Sequence, residues 1–202
     1  MDELFLFLSE QTPFLANGFL INIYISVAAM LMGTGLGTLV AIPIARNWRL
    51  LRPLSALGVN LSRNVPSFVL MFYVAFFLPN EIVLQETTII ILPEYKAAIA
   101  LMFPVLGFAA DEFRGLFHLN GSFKKYLNSW MQYFLIIMMA SVTASVIGAD
   151  EVLARANRLI STRSDISVLI GTYVYIGLWF ILFGLVFTKL MKIIFHRTAL
   201  SE

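Results

Sequence analysis

GFLINIYISVAAMLMGTGLGTLVAIPIA, residues 18–45, contains no charged side chain and is followed at once by Arg46, Arg49 and Arg52. A helix rises 1.5 Å per residue, so about 20 apolar residues cross a hydrocarbon core of about 30 Å. The stretch therefore predicts a transmembrane helix. Gly33, Gly35 and Gly37 inside it remove side-chain bulk and let a neighbouring helix approach closely. The start, Met1-Asp2-Glu3, is acidic and lacks the positive region of a cleavable signal peptide, which predicts a retained span.

The rest of the chain agrees with this reading. Hydrophobic residues make up 59% of its 202 residues and charged ones 13%, with a mean hydropathy of +0.85. A soluble domain carries about twice that charged fraction. With 18 Phe against 12 Gly and 7 Pro, disordered and fibrous classes are excluded. A net charge of +2, with no dense Lys/Arg run, excludes a phosphate-tracking surface for nucleic acid. The absence of cysteine excludes disulfides, thiol catalysis and Cys-ligated metals.

The expected fold is an all-α polytopic bundle, a single transmembrane domain over residues 1–202. Its five spans are expected at about 18–45, 66–78, 97–110, 130–147 and 166–187. Pro66 starts or kinks the second, which is short for a full crossing and open to being broken or re-entrant. Residues 79–95 read as a loop of mixed character. Ten basic residues fall on one side: Arg46, Arg49, Arg52, Arg63, Arg114, Lys124, Lys125, Lys189, Lys192 and Arg197. Four fall on the other, namely Lys96, Arg155, Arg158 and Arg163. The positive-inside bias places the N-terminus outside and the C-terminus in the cytoplasm.

Candidates for chemistry are few. His118 and His196 stand alone, without a carboxylate at metal-ligand spacing, and read as interfacial or solvent-facing side chains rather than ligands or bases. No Gly-Lys-Ser/Thr loop is present, so the chain is not expected to hydrolyse ATP by itself. No Gly-x-Ser-x-Gly turn is present either. Asp111, Glu112 and Arg114 close the third span, where charge must pair or reach water. Asp111 and Arg114, three apart, share a helix face and can pair. An anchor at the membrane interface is the plain reading; a charge facing a cavity or partner is the functional one. Asn17, Asn22, Asn60, Asn64 and Gln132 read first as interhelical hydrogen-bonding groups and second as substrate ligands. Residues 149–165 predict an external amphipathic helix with Asp150 as N-cap and Glu151 in the first turn. Val152, Leu153, Ala156, Leu159 and Ile160 share one face of it, and Arg155, Arg158 and Arg163 lie largely elsewhere.

The order of these features resembles the membrane subunits of ATP-binding-cassette importers, in particular the polar amino acid (histidine/glutamine/arginine-type) permease family. The Gly-rich first span is one landmark. Arg63-Asn64-Val65-Pro66 stands where the family shows Arg-Gly-Thr-Pro. Gly107-Phe108-Ala109-Ala110-Asp111-Glu112-Phe113-Arg114-Gly115 is similar to Ala-Tyr-x-Ala-Glu-x-x-Arg-Gly, with Asp111 at the Glu position. Ser141 to Gly148 is similar to Thr-Ser-Leu-x-Ser-x-Ile-Gly, and Glu151 to Ser161 to the family's external helix. The resemblance covers most of residues 14–195. It implies a homologous permease partner, cytoplasmic ATP-binding subunits, an external solute-binding protein and surrounding lipid, in a bacterial inner membrane. No cofactor is implied.

The resemblance also marks site candidates: Asn64, Asp111 and Gln132 for the substrate path, and Arg63, Pro66, Arg114 and Gly115 for structure or gating. It implies polar amino acids or similar small zwitterions as cargo. One departure stands out. The family carries a cytoplasmic Glu-Ala-Ala loop that docks on the ATPase, whereas only Leu116 to Leu127 is present here, shorter by several helical turns. Gly121, Phe123, Lys124 and Lys125 are what remains as candidate ATPase contacts. Two expectations follow: a permease paired with a second subunit that carries the full loop, or a degenerate subunit that scaffolds or regulates.

Overall fold

The computed structural model describes residues 2–84, 87–118, 123–163 and 165–198. Seven α-helices and one hairpin are described in the order α1 (Asp2–Ala45), α2 (Arg52–Asn64), α3 (Ser67–Phe77), β1 (Glu81–Leu84), β2 (Thr87–Ile90), α4 (Pro93–His118), α5 (Phe123–Ala140), a 3₁₀ segment (Ser141–Ile147), α6 (Val152–Ser161) and α7 (Ile166–Thr198). By length and composition, three helical stretches among the described residues can cross a membrane: Glu3–Ala45, Phe123–Ile147 and Ile166–Ile194. The chain groups into two compact units, residues 22–149 and residues 1–21 with 150–202.

In the unit of residues 22–149, α1 and α4 cross at backbone contact. A Cβ on Gly33 would lie 2.5 Å from Val105 Cβ, and one on Gly37 would lie 2.5 Å from the Leu106 carbonyl oxygen. Gly35 faces open space, so two of the three predicted glycines make the approach. Polar groups then fasten α1 to α5 and the 3₁₀ segment. The Asn22 amide donates to Ser141 Oγ (2.9 Å) and the Trp130 indole to Thr34 Oγ1 (2.7 Å). Inside lipid such bonds hold helices together at about 0.6 kcal/mol on average.

The second predicted span, 66–78, holds one short helix, α3, and a break in the backbone separates it from α2. Val65 and Pro66 are both extended, with ψ of 125° and 134°, because Pro66 disfavours the helical region for the residue before it. With 11 residues, α3 extends only about 16 Å, too short to cross alone. The loop expected at 79–95 holds an antiparallel hairpin, with Glu81 opposite Ile90 and Leu84 opposite Thr87. Its Ile, Val and Thr residues are β-branched and favour extended backbone. Lys96 is buried, and its Nζ donates to the Leu78 carbonyl (2.7 Å), Asn80 Oδ1 (2.8 Å) and the Ala75 carbonyl (3.4 Å). That places a cation on the C-terminal carbonyls of α3, where the helix dipole favours it.

In the other unit, α6 packs Val152 and Ala156 against Leu15 and Ile176. The cap of α6 corrects the predicted one. Glu151, fully buried, is the N-cap and accepts from the Leu153 and Ala154 amides at 2.9 and 2.8 Å. Asp150 turns instead to Arg155 (2.7 Å) and Arg158. Arg155 does not point away as its place on the wheel suggested: its side chain is 14% exposed and Nη1 donates to the Phe14 carbonyl at 2.8 Å.

Candidate functional site

The cleft is built where α2 lies on α4. Gly107 makes the approach possible, since a Cβ there would stand 2.6 Å from Arg63 Cγ and 2.8 Å from Ser62 Oγ. One turn further along α4 is Asp111, so the Gly107 contact brings the Arg63 guanidinium to Asp111. Arg63 Nη1 donates to Asp111 Oδ2 at 2.7 Å, while Arg114 Nη1 lies 3.7 Å from Oδ1. One carboxylate thus stands between two guanidinium groups from different helices.

Around this pair opens a cleft of about 360 Å³ lined by Arg63, Pro104, Phe108, Asp111, Glu112 and Tyr133. Its wall is rigid. The Phe108 and Tyr133 rings stack 4.0 Å apart at 2°, and the Tyr133 hydroxyl donates to the Pro104 carbonyl at 3.1 Å. With Arg114 beside the lining, Arg63 and Arg114 balance Asp111 and Glu112, giving both signs of charge next to an aromatic face. The Arg63 and Asp111 side chains are 53% and 37% exposed, and ion pairs this wet stabilise a fold by at most about 1 kcal/mol. Such groups are free to exchange partners with a charged solute.

Among the predicted site residues, Arg63, Asp111 and Arg114 come together. Asn64 and Gln132 are exposed and do not line the cleft. Pro66 caps α3, and Gly115 has open space where a Cβ would be. Phe123, Lys124 and Lys125 are exposed at the start of α5, where the Phe123 ring lies 6.1 Å from that of Tyr126; Gly121 lies outside the described residues, as do the side chains of His118 and His196. The aromatic wall of Phe108 and Tyr133 was not predicted. Tyr133 next to Gln132 carried no distinguishing signal, and Phe108 lay inside the motif without drawing attention.

The apolar helices, the close helix crossings and the cleft define a multi-pass α-helical membrane protein. No family model matches the chain, and no curated protein matches it. Its fold is similar to that of a chain in the solved structure described as "Crystal structure of an amino acid ABC transporter with histidines", with a TM-score of 0.78 and 16% identity. The similarity covers 96% of this chain and 98% of that one. What the two share at this identity is the fold.

Proposed function

We propose that this chain is a membrane permease subunit of a binding-protein-dependent ABC importer for polar amino acids or similar small zwitterions. The supporting observation is the conjunction of a fold shared end to end with a chain of an amino acid ABC transporter and a cleft at Arg63, Asp111 and Glu112 whose charge is balanced once Arg114 beside it is included. In this reading the chain crosses the bacterial inner membrane five times, through α1, the broken pair α2–α3, α4, α5 with its 3₁₀ extension, and α7. The N-terminus faces outward, and Arg46, Lys124 and Lys189 face the cytoplasm. A zwitterion offers one carboxylate to a guanidinium and one ammonium to a carboxylate, which is what the cleft presents. The partners are a homologous permease carrying the full coupling loop, two ATP-binding subunits that hydrolyse ATP, and an external solute-binding protein.

The test is purification of the tagged chain in detergent from its own cells. An ATPase and a solute-binding protein should co-purify, and ATP turnover should rise several-fold when that binding protein is loaded with a polar amino acid. A chain purified without any ATPase overturns the proposal.

One observation favours a second reading, a subunit that assembles or regulates without conducting. Helix α4 runs to His118 and α5 starts at Phe123, which leaves four positions for a coupling element, about one helical turn. Uptake that survives Asp111→Asn with Arg114→Gln, combined with loss of assembly when the chain is deleted, would select this reading.

A further inference from the structure

From Gln11 to Asn80 the chain contains no Asp or Glu, yet it carries Arg46, Arg49, Arg52 and Arg63. Arg63 is taken by Asp111. The other three stand together at the corner between α1 and α2, all exposed, and among the described residues none has an acidic partner. Arg52 Nη1 donates to Asn47 Oδ1 at 2.7 Å, which fixes one guanidinium without neutralising it. The corner itself is tight. Asn47 has φ of 53°, and the Trp48 amide donates to the Pro43 carbonyl at 3.0 Å.

Next to this positive corner α2 shows an unpartnered apolar stripe. Its inner face, Ala56 and Val59, packs on Ala41, Ile44 and Ala110. Its outer face carries Leu54, Leu57 and Leu61, exposed by 67%, 56% and 55%, and Leu50 in the turn just before the helix is exposed by 87%. Leu54, Leu57 and Leu61 follow i, i+3 and i+7, one side of a helix. Trp48, also exposed, has an apolar ring body with a polar N–H, the side chain that settles at headgroup level. An apolar stripe beside uncompensated arginines and a tryptophan is the pattern of a chain that enters the membrane from a surface with anionic lipid. A protein partner would have to offer a leucine-complementary groove beside an acidic patch, whereas an anionic leaflet supplies acyl chain and phosphate together.

We propose that the α1–α2 corner is a binding site for anionic phospholipid headgroups: Arg46, Arg49 and Arg52 hold the phosphate, while Leu50, Leu54, Leu57 and Leu61 lie along the acyl chains. The guanidinium fork pairs with phosphate oxygens through two N–H donors at once. Annular lipid at this corner is therefore enriched in negative charge, in whichever leaflet the corner faces.

The full chain with Trp130→Phe and Trp179→Phe, keeping Trp48 as its only tryptophan and excited selectively over tyrosine, tests this in phosphatidylcholine vesicles. One set of vesicles contains brominated phosphatidylglycerol and the other brominated phosphatidylcholine at equal mole fraction. Trp48 should be quenched more strongly by the anionic lipid, and raising salt should shrink the difference as the charges are screened. Substituting the three arginines by glutamine should remove the preference, roughly fivefold in relative affinity per arginine, and leave quenching by brominated phosphatidylcholine intact. Lysine at the three positions should keep most of it. Equal quenching of the unsubstituted arginine corner by both lipids would overturn the proposal. A preference that persists in the glutamine variant would also overturn it, as would no quenching by either lipid, which would mean that protein covers the corner.

Discussion

Two arginine–aspartate clusters in this molecule use the same groups for opposite ends. At Asp150 the carboxylate meets Arg155 and Arg158, Arg155 also donates to the backbone at Phe14, and its guanidinium lies 4.9 Å from the centre of the Phe14 ring. At Asp111 the carboxylate meets Arg63 and Arg114 beside an open cleft, with both arginines about half exposed. The first cluster fixes α6 onto the start of α1 through one buried guanidinium, that of Arg155, while Asp150 and Arg158 stay as open as the groups at Asp111. The second leaves its charges where a solute can reach them. What separates the two is the burial of a single group: the sequestered Arg155 guanidinium must keep every partner, whereas both arginines at Asp111 are wet and can trade theirs.

The largest expected loss of stability comes from the fastening. Arg155→Met removes hydrogen bonds from a mostly buried guanidinium, including the one to Phe14, and should cost about 2–3 kcal/mol. Thermal denaturation of the purified protein, followed by aggregation or tryptophan fluorescence, should show a lowered midpoint. A midpoint unchanged from wild type would mean that the cluster is not fastening the helix. Glu151→Ala comes next. It strips the N-cap acceptors of Leu153 and Ala154 and should cost about 1–2 kcal/mol. Asp150→Asn leaves that cap in place and should cost less than Glu151→Ala in the same melt; the reverse order would restore Asp150 as the cap.

The contrast between the clusters was only partly legible beforehand. The uncharged run from Gly18 to Ala45 announced a membrane helix because bilayer thickness sets a length that few soluble helices meet. The pairing of Asp111 with Arg114 followed from helical periodicity alone. Arg63 joining Asp111 did not, since 48 positions separate them and only the bare Gly107 contact brings α2 to the right height on α4. The cap of α6 was missed by one residue for a related reason. Asp150 and Glu151 are both carboxylates, and the start of the helix depends on how the chain leaves the 3₁₀ segment. Gly148 turns through φ of 89° and the Ala149 amide returns to the Ala144 carbonyl, which delays the first helical residue to Val152. In the 79–95 loop the β-branched residues were there to read; their mixture with Glu and Pro masked the alternation.

The smallest expected change in stability belongs to Arg63, and it is the most informative about function. Because the pair is exposed, Arg63→Gln should shift the melt by less than about 1 kcal/mol. If the cleft handles a zwitterion, the same substitution should still reduce uptake at least tenfold in vesicles reconstituted with the complete complex, because the lost guanidinium is the partner of the solute carboxylate. Asp111→Asn should weaken uptake in parallel, and Arg63→Lys should retain part of it, since a single ammonium keeps the charge but lacks the planar fork. Gln132→Ala, one residue from Tyr133 yet outside the cleft, serves as the matched control and should leave uptake within about twofold. Equal effects of the Arg63 and Gln132 substitutions would erase the distinction between the two clusters, for the one at Asp111 would then be as structural as the one at Asp150.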